Sequence, residues 1–313
     1  MNIVIIGLGG VGGYFGFKIN QINEIDKKHQ IAFVARAKTY QTIKEKGLKL
    51  ISPEHINSVT TPDAIYQDIT EIQNPNLILI CVKEYDLENV CTQLSGVITK
   101  DTIILPMMNG VDIYDRIRKI LPNTVILPSC VYVASHIKEK GSIEHKGIAG
   151  KLIFGRDPEH FSEDINWVET IIKNSGIKYE FKDNSLVDIW TKFIFIASFG
   201  LVTAKYNSSI GAVCTNEIQR KEATEIMEEI RWIANQKGIP LPNDIVDITF
   251  EKASSFPPTT PTSLQLDINS GKENSELELF AGAILKYGAD FNKKCHFTQK
   301  IYNEIKSKQT LNY

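Results

Sequence analysis

Apolar positions recur in two rhythms along the chain. In the first half they come as short, nearly continuous runs bounded by turn residues: Ile3–Ile6, Gln30–Ala35, Asn76–Val82 and Thr102–Pro106. Such runs are too brief for helices and suit strands buried on both faces of a parallel sheet. Residues 125–133 and 151–155 read as further strands. Asp164–Ser175 reads as a helix before a short strand at Lys178–Phe181. A helical stretch turns around Gly47, and the Thr-, Pro- and Asp-rich region after it predicts no definite element. Beyond Lys182-Asp183-Asn184-Ser185, which holds capping residues, the apolar spacing turns helical nearly to the end. The pattern predicts an α/β unit over 1–182 and an all-α unit over 183–313.

The junction after the first apolar run sharpens the fold. Ile3–Ile6 leads directly into Gly7-Leu8-Gly9-Gly10-Val11-Gly12, which fits G-x-G-x-x-G, and an apolar helix continues from Gly13. In a strand–turn–helix setting these glycines have separate tasks. Gly7 permits the tight turn, Gly9 lets a pyrophosphate approach the backbone, and Gly12 lets the helix lie close on the strand. The helix N-terminus then offers free N–H groups to the phosphates. The expected fold class is α/β, an N-terminal Rossmann-type doubly wound sheet with a C-terminal all-α domain. Residues 7–12 are the expected dinucleotide cradle.

Composition narrows the chemistry. The 313 residues carry a net charge of -2, which argues against nucleic acid or an acidic membrane as the main partner. No apolar run approaches membrane-spanning length on this reading, and no signal peptide opens the chain, so the cytoplasm is the expected compartment. Five cysteines (Cys81, Cys91, Cys130, Cys214, Cys295) without C-x-x-C spacing suit reduced, mostly buried thiols. The six histidines do not cluster at ligand spacing, and no metal is expected.

The second strand decides the cofactor. NAD-preferring sites place an acid about 20 residues after the glycine turn to hold the ribose 2′-OH. Here the strand ends at Arg36, with Lys38 two residues on. An arginine there pairs with a 2′-phosphate, so NADP(H) is expected. Lys83 and Asn109 follow the next two strands, at carboxyl ends where open α/β sheets bind ligands. With the glycine turn they outline one crevice.

These residues carry a family resemblance. The chain resembles the 2-dehydropantoate 2-reductases (ketopantoate reductases), which make pantoate for pantothenate and coenzyme A. The likeness runs in order through GLGGVGGYFG, VAR at 34–36, LICVKEYD at 79–86 and MNGVD at 108–112. It continues from Val131 through His145-Lys146-Gly147 to Phe154-Gly155 and resumes in the second half. It implies hydride transfer from NADPH to a small 2-oxo acid, with Asn109 and Lys83 near nicotinamide and substrate. His145, in a hairpin or loop expected over the active face, is a candidate acid–base residue on type alone, but a lone loop histidine is usually incidental.

In the second half, Lys192 interrupts an otherwise apolar segment from Leu186 to Ala197. Its amine could simply snorkel out along its own stem. The resemblance favours another role, because Trp190-x-Lys192 is similar to the family's W-x-K element, whose lysine is the general acid. The family's asparagines one and two turns later are replaced by Ile196 and Gly200, which leaves the chemistry intact and opens the choice of oxo acid. Ser263 matches the serine that contacts the substrate carboxylate, although Thr262 or Ser263 could equally cap the helix opening there. Gly271–Glu278 resembles the G-[RK]-x-T-E-[IL]-[DE] element with one insertion and no threonine. Glu276 takes the place of the glutamate that bonds the substrate hydroxyl, with Glu273 or Glu278 as alternatives. The lysine-rich tail from Lys293 suits a solvated terminal helix. A homodimer is compatible with the sequence, dimers being the commonest assembly, though no stretch marks an interface. Two other readings stand beside the reductase of 2-dehydropantoate. One is a reductase of another 2-oxo or 3-oxo acid on the same scaffold, and the other a non-catalytic NADP(H) sensor.

Overall fold

The structure, a computed structural model, describes residues 1–55, 57–271 and 274–311, with side chains through 309. It divides into two compact units, Met1–Ser185 and Leu186–Tyr313. The first therefore runs three residues past the expected boundary at Lys182. Ser185 is buried and its hydroxyl donates to the Pro128 carbonyl at 2.8 Å, which ties residues 183–185 to the first unit.

The first unit opens with β1 (Asn2–Ile6), α1 (Gly10–Asp26), β2 (Gln30–Val34) and α2 (Ala37–Lys46). Three short strands come next, β3 (Leu48–Ile51), β4 (Ser58–Thr60) and β5 (Ala64–Tyr66), in the region where the sequence predicted nothing definite. After them come β6 (Leu77–Ile80), α3 (Leu87–Leu94), β7 (Ile103–Pro106), α4 (Ile113–Ile120) and β8 (Val125–Ile126). Among the described residues, the main sheet has six parallel strands in the order β5-β2-β1-β6-β7-β8. Chain direction across the sheet reverses between β1 and β6, and at such a switch point the loops splay apart to leave a crevice. Ile3, Ile5, Phe33, Leu77 and Leu79 lie in the core beneath it, which is why these strands read as continuous apolar runs.

The unit closes with β9 (Ser129–Tyr132), β10 (Ser135–Glu139), β11 (Ser142–His145), β12 (Lys151–Gly155), α5 (Asn166–Asn174) and β13 (Lys178–Lys182). The expected strand 125–133 is thus two strands. β8 edges the main sheet, whereas β9 joins a separate sheet in the order β13-β12-β9. Pro128 lies at the break and cannot donate to a ladder. The 141–147 segment does form a hairpin, β10–β11, but it extends β3 and β4 into a further four-stranded sheet. That sheet rests on α1: an added Cβ at Gly10 would strike the Ser135 carbonyl, and one at Gly13 would strike Ile143.

The second unit is helical: α6 (Leu186–Tyr206), α7 (Ile210–Thr215), α8 (Glu217–Gln236), α9 (Ile245–Ser254), α10 (Ser263–Asn269), α11 (Ala283–Asp290) and α12 (His296–Leu311). A π-helical turn, Glu278–Gly282, leads into α11. α6 is the hub and packs on α7, α8, α9, α10 and α12. Contrary to expectation, this helix is long and apolar enough to cross a membrane, with a mean hydropathy of 1.6 over its most apolar window. Most of it is buried among its neighbours, and a helix enclosed on several sides carries apolar residues all round. The buried Glu229 carboxylate receives the N–H groups of Phe297 and Thr298 at 2.9 and 3.0 Å, capping the start of α12. α12 is not wholly solvated, since Ile301 and Ile305 are buried.

Candidate active site

At the switch point the turn from β1 to α1 has the form its glycines require. Gly7 adopts φ +92°, and a Cβ there would lie 2.9 Å from the Cys81 carbonyl oxygen. A Cβ at Gly12 would strike the Gly7 carbonyl and lie 2.7 Å from Cys81 Cβ, so this glycine lets α1 press against β6's end. Gly9 caps α1 and would meet nothing within 4 Å, leaving the backbone uncovered where the helix N–H groups emerge. Gly10 and Val11 form the first turn of α1. Cys81 is core, as expected; burial pushes its thiol pKa far up and keeps it protonated.

Gly7, Leu8 and Gly9 line a cavity of about 660 Å³ with Arg36 and Asp86. That volume falls within the usual range for small-molecule sites, roughly 300–1,000 Å³. Arg36 precedes α2, and its side chain is 65% exposed. Its Nη2 stands 2.8 Å from Asp86 Oδ2. Ala37 beside it holds φ +48°, a left-handed conformation that costs a non-glycine residue about 1 kcal/mol or more.

Asp86 ends a 3-10 turn, Glu84–Asp86, that comes directly after Lys83. Glu84 anchors this turn from below. Its buried carboxylate accepts from Arg116 Nη1 at 3.1 Å, and its carbonyl accepts from Nη2 at 3.0 Å. Lys83 itself is exposed beyond β6, and half-buried Asn109 lies beyond β7. β6 and β7 pair in parallel with Ile80 opposite Pro106, so the two residues leave neighbouring strands at the same end of the sheet.

The remaining site residues predicted from the sequence lie in the second unit. Lys192 is buried on α6 at 8% exposure, between Trp190 and Phe193 in sequence. Phe193 meets Phe280 of the π-helical turn edge-on at 6.2 Å. Lys192, half-buried Ile196 and Gly200 recur every fourth residue and share a face of α6. A Cβ at Gly200 would reach Phe280 at 3.5 Å and Leu264 of α10 at 3.7 Å, ordinary contacts. Glu276, buried at 5% exposure, lies just before the π-helical turn, whereas Glu278 is exposed and bonds Tyr302. Ser263 is the exposed first residue of α10. Thr262, not Ser263, fills the cap, accepting from Gln265 N at 3.3 Å. Thus Lys192, Ser263 and Glu276 sit on or beside three elements packed together, α6, α10 and the π-helical turn. Glu273 lies outside the described residues.

His145 is not at the cavity. It is buried, tilted against Tyr14 at 4.6 Å, with Nε2 3.0 Å from the Ile148 carbonyl. It packs the hairpin against α1 through Tyr14. Sequence reasoning missed Asp68, Asp86, Ile137 and Lys140, which also line the cavity. Asp86 could have been singled out as the acid just past Lys83. Ile137 and Lys140 arrive through a long-range hairpin that leaves no local signal.

Comparison with known proteins covers both units. The model of the family "Ketopantoate reductase PanE/ApbA" matches residues 3–159, and the model of its C-terminal domain matches residues 184–309. An uncharacterised oxidoreductase of Bacillus subtilis, YkpB, is 25% identical over 274 residues, 87% of each chain. A PanE/ApbA family ketopantoate reductase from Ralstonia eutropha shares the fold with a TM-score of 0.87, at 23% identity over 99% of both chains. D-mandelate dehydrogenase, solved with NADH and anilino(oxo)acetate, shares it with a TM-score of 0.85, at 20% identity over 100% of both chains.

Proposed function

The chain belongs to the ketopantoate reductase family, an oxidoreductase family, and from that premise we propose that it reduces a small 2-oxo acid with NADPH, 2-dehydropantoate to pantoate before others. The observation that carries the reading is Lys192, an amine buried on an apolar helix in the family's W-x-K setting.

The residues present fit a nicotinamide dinucleotide. The open backbone at Gly9 and the close packing at Gly7 and Gly12 suit a pyrophosphate, and Arg36 suits a 2′-phosphate. When bound, the nicotinamide supplies the hydride that reduces the ketone carbon. The ketone oxygen gains negative charge as this happens. Lys192 donates a proton to that oxygen, and its positive charge favours the transition state over the neutral ketone. Asn109 and Lys83 orient the reacting groups. Ser263 holds the substrate carboxylate, and Glu276 receives the hydroxyl end.

Ile196 and Gly200 support a second reading, a different 2-oxo or 3-oxo acid on the same scaffold. They replace two polar side chains on the face that carries Lys192, which lowers the site's demand for a hydroxylated substrate. The test is loss of NADPH absorbance with 2-dehydropantoate, beside a panel of other oxo acids and an NADH control. Fast, NADPH-selective turnover of 2-dehydropantoate supports the first reading. A better substrate elsewhere in the panel replaces it with the second. Tight NADPH binding with no turnover of any oxo acid overturns both in favour of a non-catalytic NADP(H) sensor.

A further inference from the structure

β2 and β6 flank β1 on opposite sides, so an ion pair between the segments that follow them brings together the two sides of the glycine turn. Arg36 and Asp86 make that pair, Nη2 to Oδ2 at 2.8 Å, and both line the cavity. The two partners are not equally held. Arg36 is a long arm with 65% of its side chain exposed, whereas Asp86 is 29% exposed and sits on the turn anchored by Arg116 through Glu84. Asp86 is the fixed member and Arg36 the one drawn to it. The other charges lining the cavity nearly cancel. Lys140 adds one cation, and Asp68 adds one carboxylate, already engaged by Thr70 N at 2.9 Å.

We propose that Asp86 is a specificity-determining residue that competes with the cofactor's 2′-phosphate for Arg36 and so blunts the preference for NADPH over NADH. The inference rests on the reading of Arg36 as the 2′-phosphate ligand. A dianionic phosphate entering beside Arg36 meets a carboxylate already bonded to the same guanidinium. It must share or displace that bond, and the two anions repel. A ribose diol carries no such charge and can donate to the same carboxylate. The arrangement admits both cofactors, with a discrimination set by the balance between one arginine and one aspartate.

The test uses fragments that isolate this end of the cofactor, 2′,5′-ADP and 5′-AMP, alongside NADPH and NADH, titrated calorimetrically into the full chain. Asp86→Asn keeps shape and removes charge, and Asp86→Ala is the second variant. Both are expected to tighten 2′,5′-ADP and NADPH roughly fivefold to tenfold, with 5′-AMP and NADH within about twofold or weaker. Unchanged ratios in both variants overturn the proposal. So does weaker 2′,5′-ADP binding, which would make Asp86 an aid that orients Arg36. Arg36→Met tells recognition of the 2′-phosphate apart from competition for it. If it leaves the preference for 2′,5′-ADP over 5′-AMP intact, Arg36 is not the phosphate ligand and the underlying reading fails. If it abolishes that preference while the Asp86 variants change nothing, only the competition fails.

Discussion

Arg116 grips Glu84 twice, its two terminal nitrogens bonding the side-chain carboxylate at 3.1 Å and the backbone carbonyl at 3.0 Å. Lys83 and Asp86 bracket this anchored residue on the same turn. Arg116→Met removes the cation from a buried carboxylate, which is expected to cost about 3 kcal/mol in urea unfolding. Arg116→Met with Glu84→Gln should recover part of that loss. An Arg116→Met protein as stable as the parent would show the pair to be dispensable.

Lys192→Ala is expected to lower turnover of the best oxo acid by roughly 10²–10⁴, while NADPH binding stays near normal. Stopped-flow reduction and a separate NADPH titration read the two effects. Undiminished turnover would remove Lys192 from the proton transfer.

Gly9 and Gly10 are adjacent yet should fail in different ways. A Cβ at Gly9 meets nothing within 4 Å, so Gly9→Ala should melt with the parent and bind NADPH at least about tenfold more weakly. A Cβ at Gly10 meets the Ser135 backbone, so Gly10→Ala should lose about 2 kcal/mol or more of stability as the hairpin shifts. Thermal melts with and without NADPH distinguish the two. Equal melting points would mean the hairpin yields freely.

Asp157 gives the first unit a pH dependence. Burial alone would raise its pKa, but hydrogen bonds from Ile126 N–H, the Tyr114 hydroxyl, Glu159 N–H and the Arg118 guanidinium outweigh it and hold the carboxyl below its usual range. A carboxyl with a lowered folded pKa contributes stability that is full above the unfolded value of 3.8 and lost as pH falls through the folded one. Asp157→Asn should therefore be about 3 kcal/mol less stable near neutrality, and its deficit should hold down to about pH 4 and shrink as pH falls below it. Urea midpoints on both sides of that pH check it, and a constant deficit would contradict it.

The parallel strands were legible because both of their faces are buried, which makes Leu77–Ile80 and Ile103–Pro106 apolar throughout. Ser135–Glu139 was not, since its Ser-His-Ile-Lys-Glu composition reflects an edge strand whose residues from His136 on are all exposed, which leaves no apolar alternation. The stretch 125–133 deceived for a related reason: both of its strands are buried, and hydropathy does not say which sheet each joins. Arg36 and Lys192 stood out locally, one by its place at a strand's end and the other by its charge among apolar neighbours. The partnership of Arg36 with Asp86 depends on strand order, and no local window contains strand order. α6 looked like an ordinary core segment because Asp188, Lys192 and Lys205 interrupt it, although its central residues are as apolar as those of a spanning helix.

The hairpin that seats on Gly10 also gives the first unit an order of completion. A chain leaving the ribosome acquires β1, β2, β5, β6 and β7 within its first 106 residues, along with the glycine turn, Arg36 and Asp86. It does not yet possess Ile137 and Lys140, which form part of the cavity wall, nor the strand that joins β3. A nascent chain stalled between β7 and β10 would hold the parallel sheet with its crevice open on that side and α1's glycine face bare. Cofactor would then reach a finished pocket only after β11 emerges, so that nucleotide binding reports on synthesis having passed His145, late in the first unit.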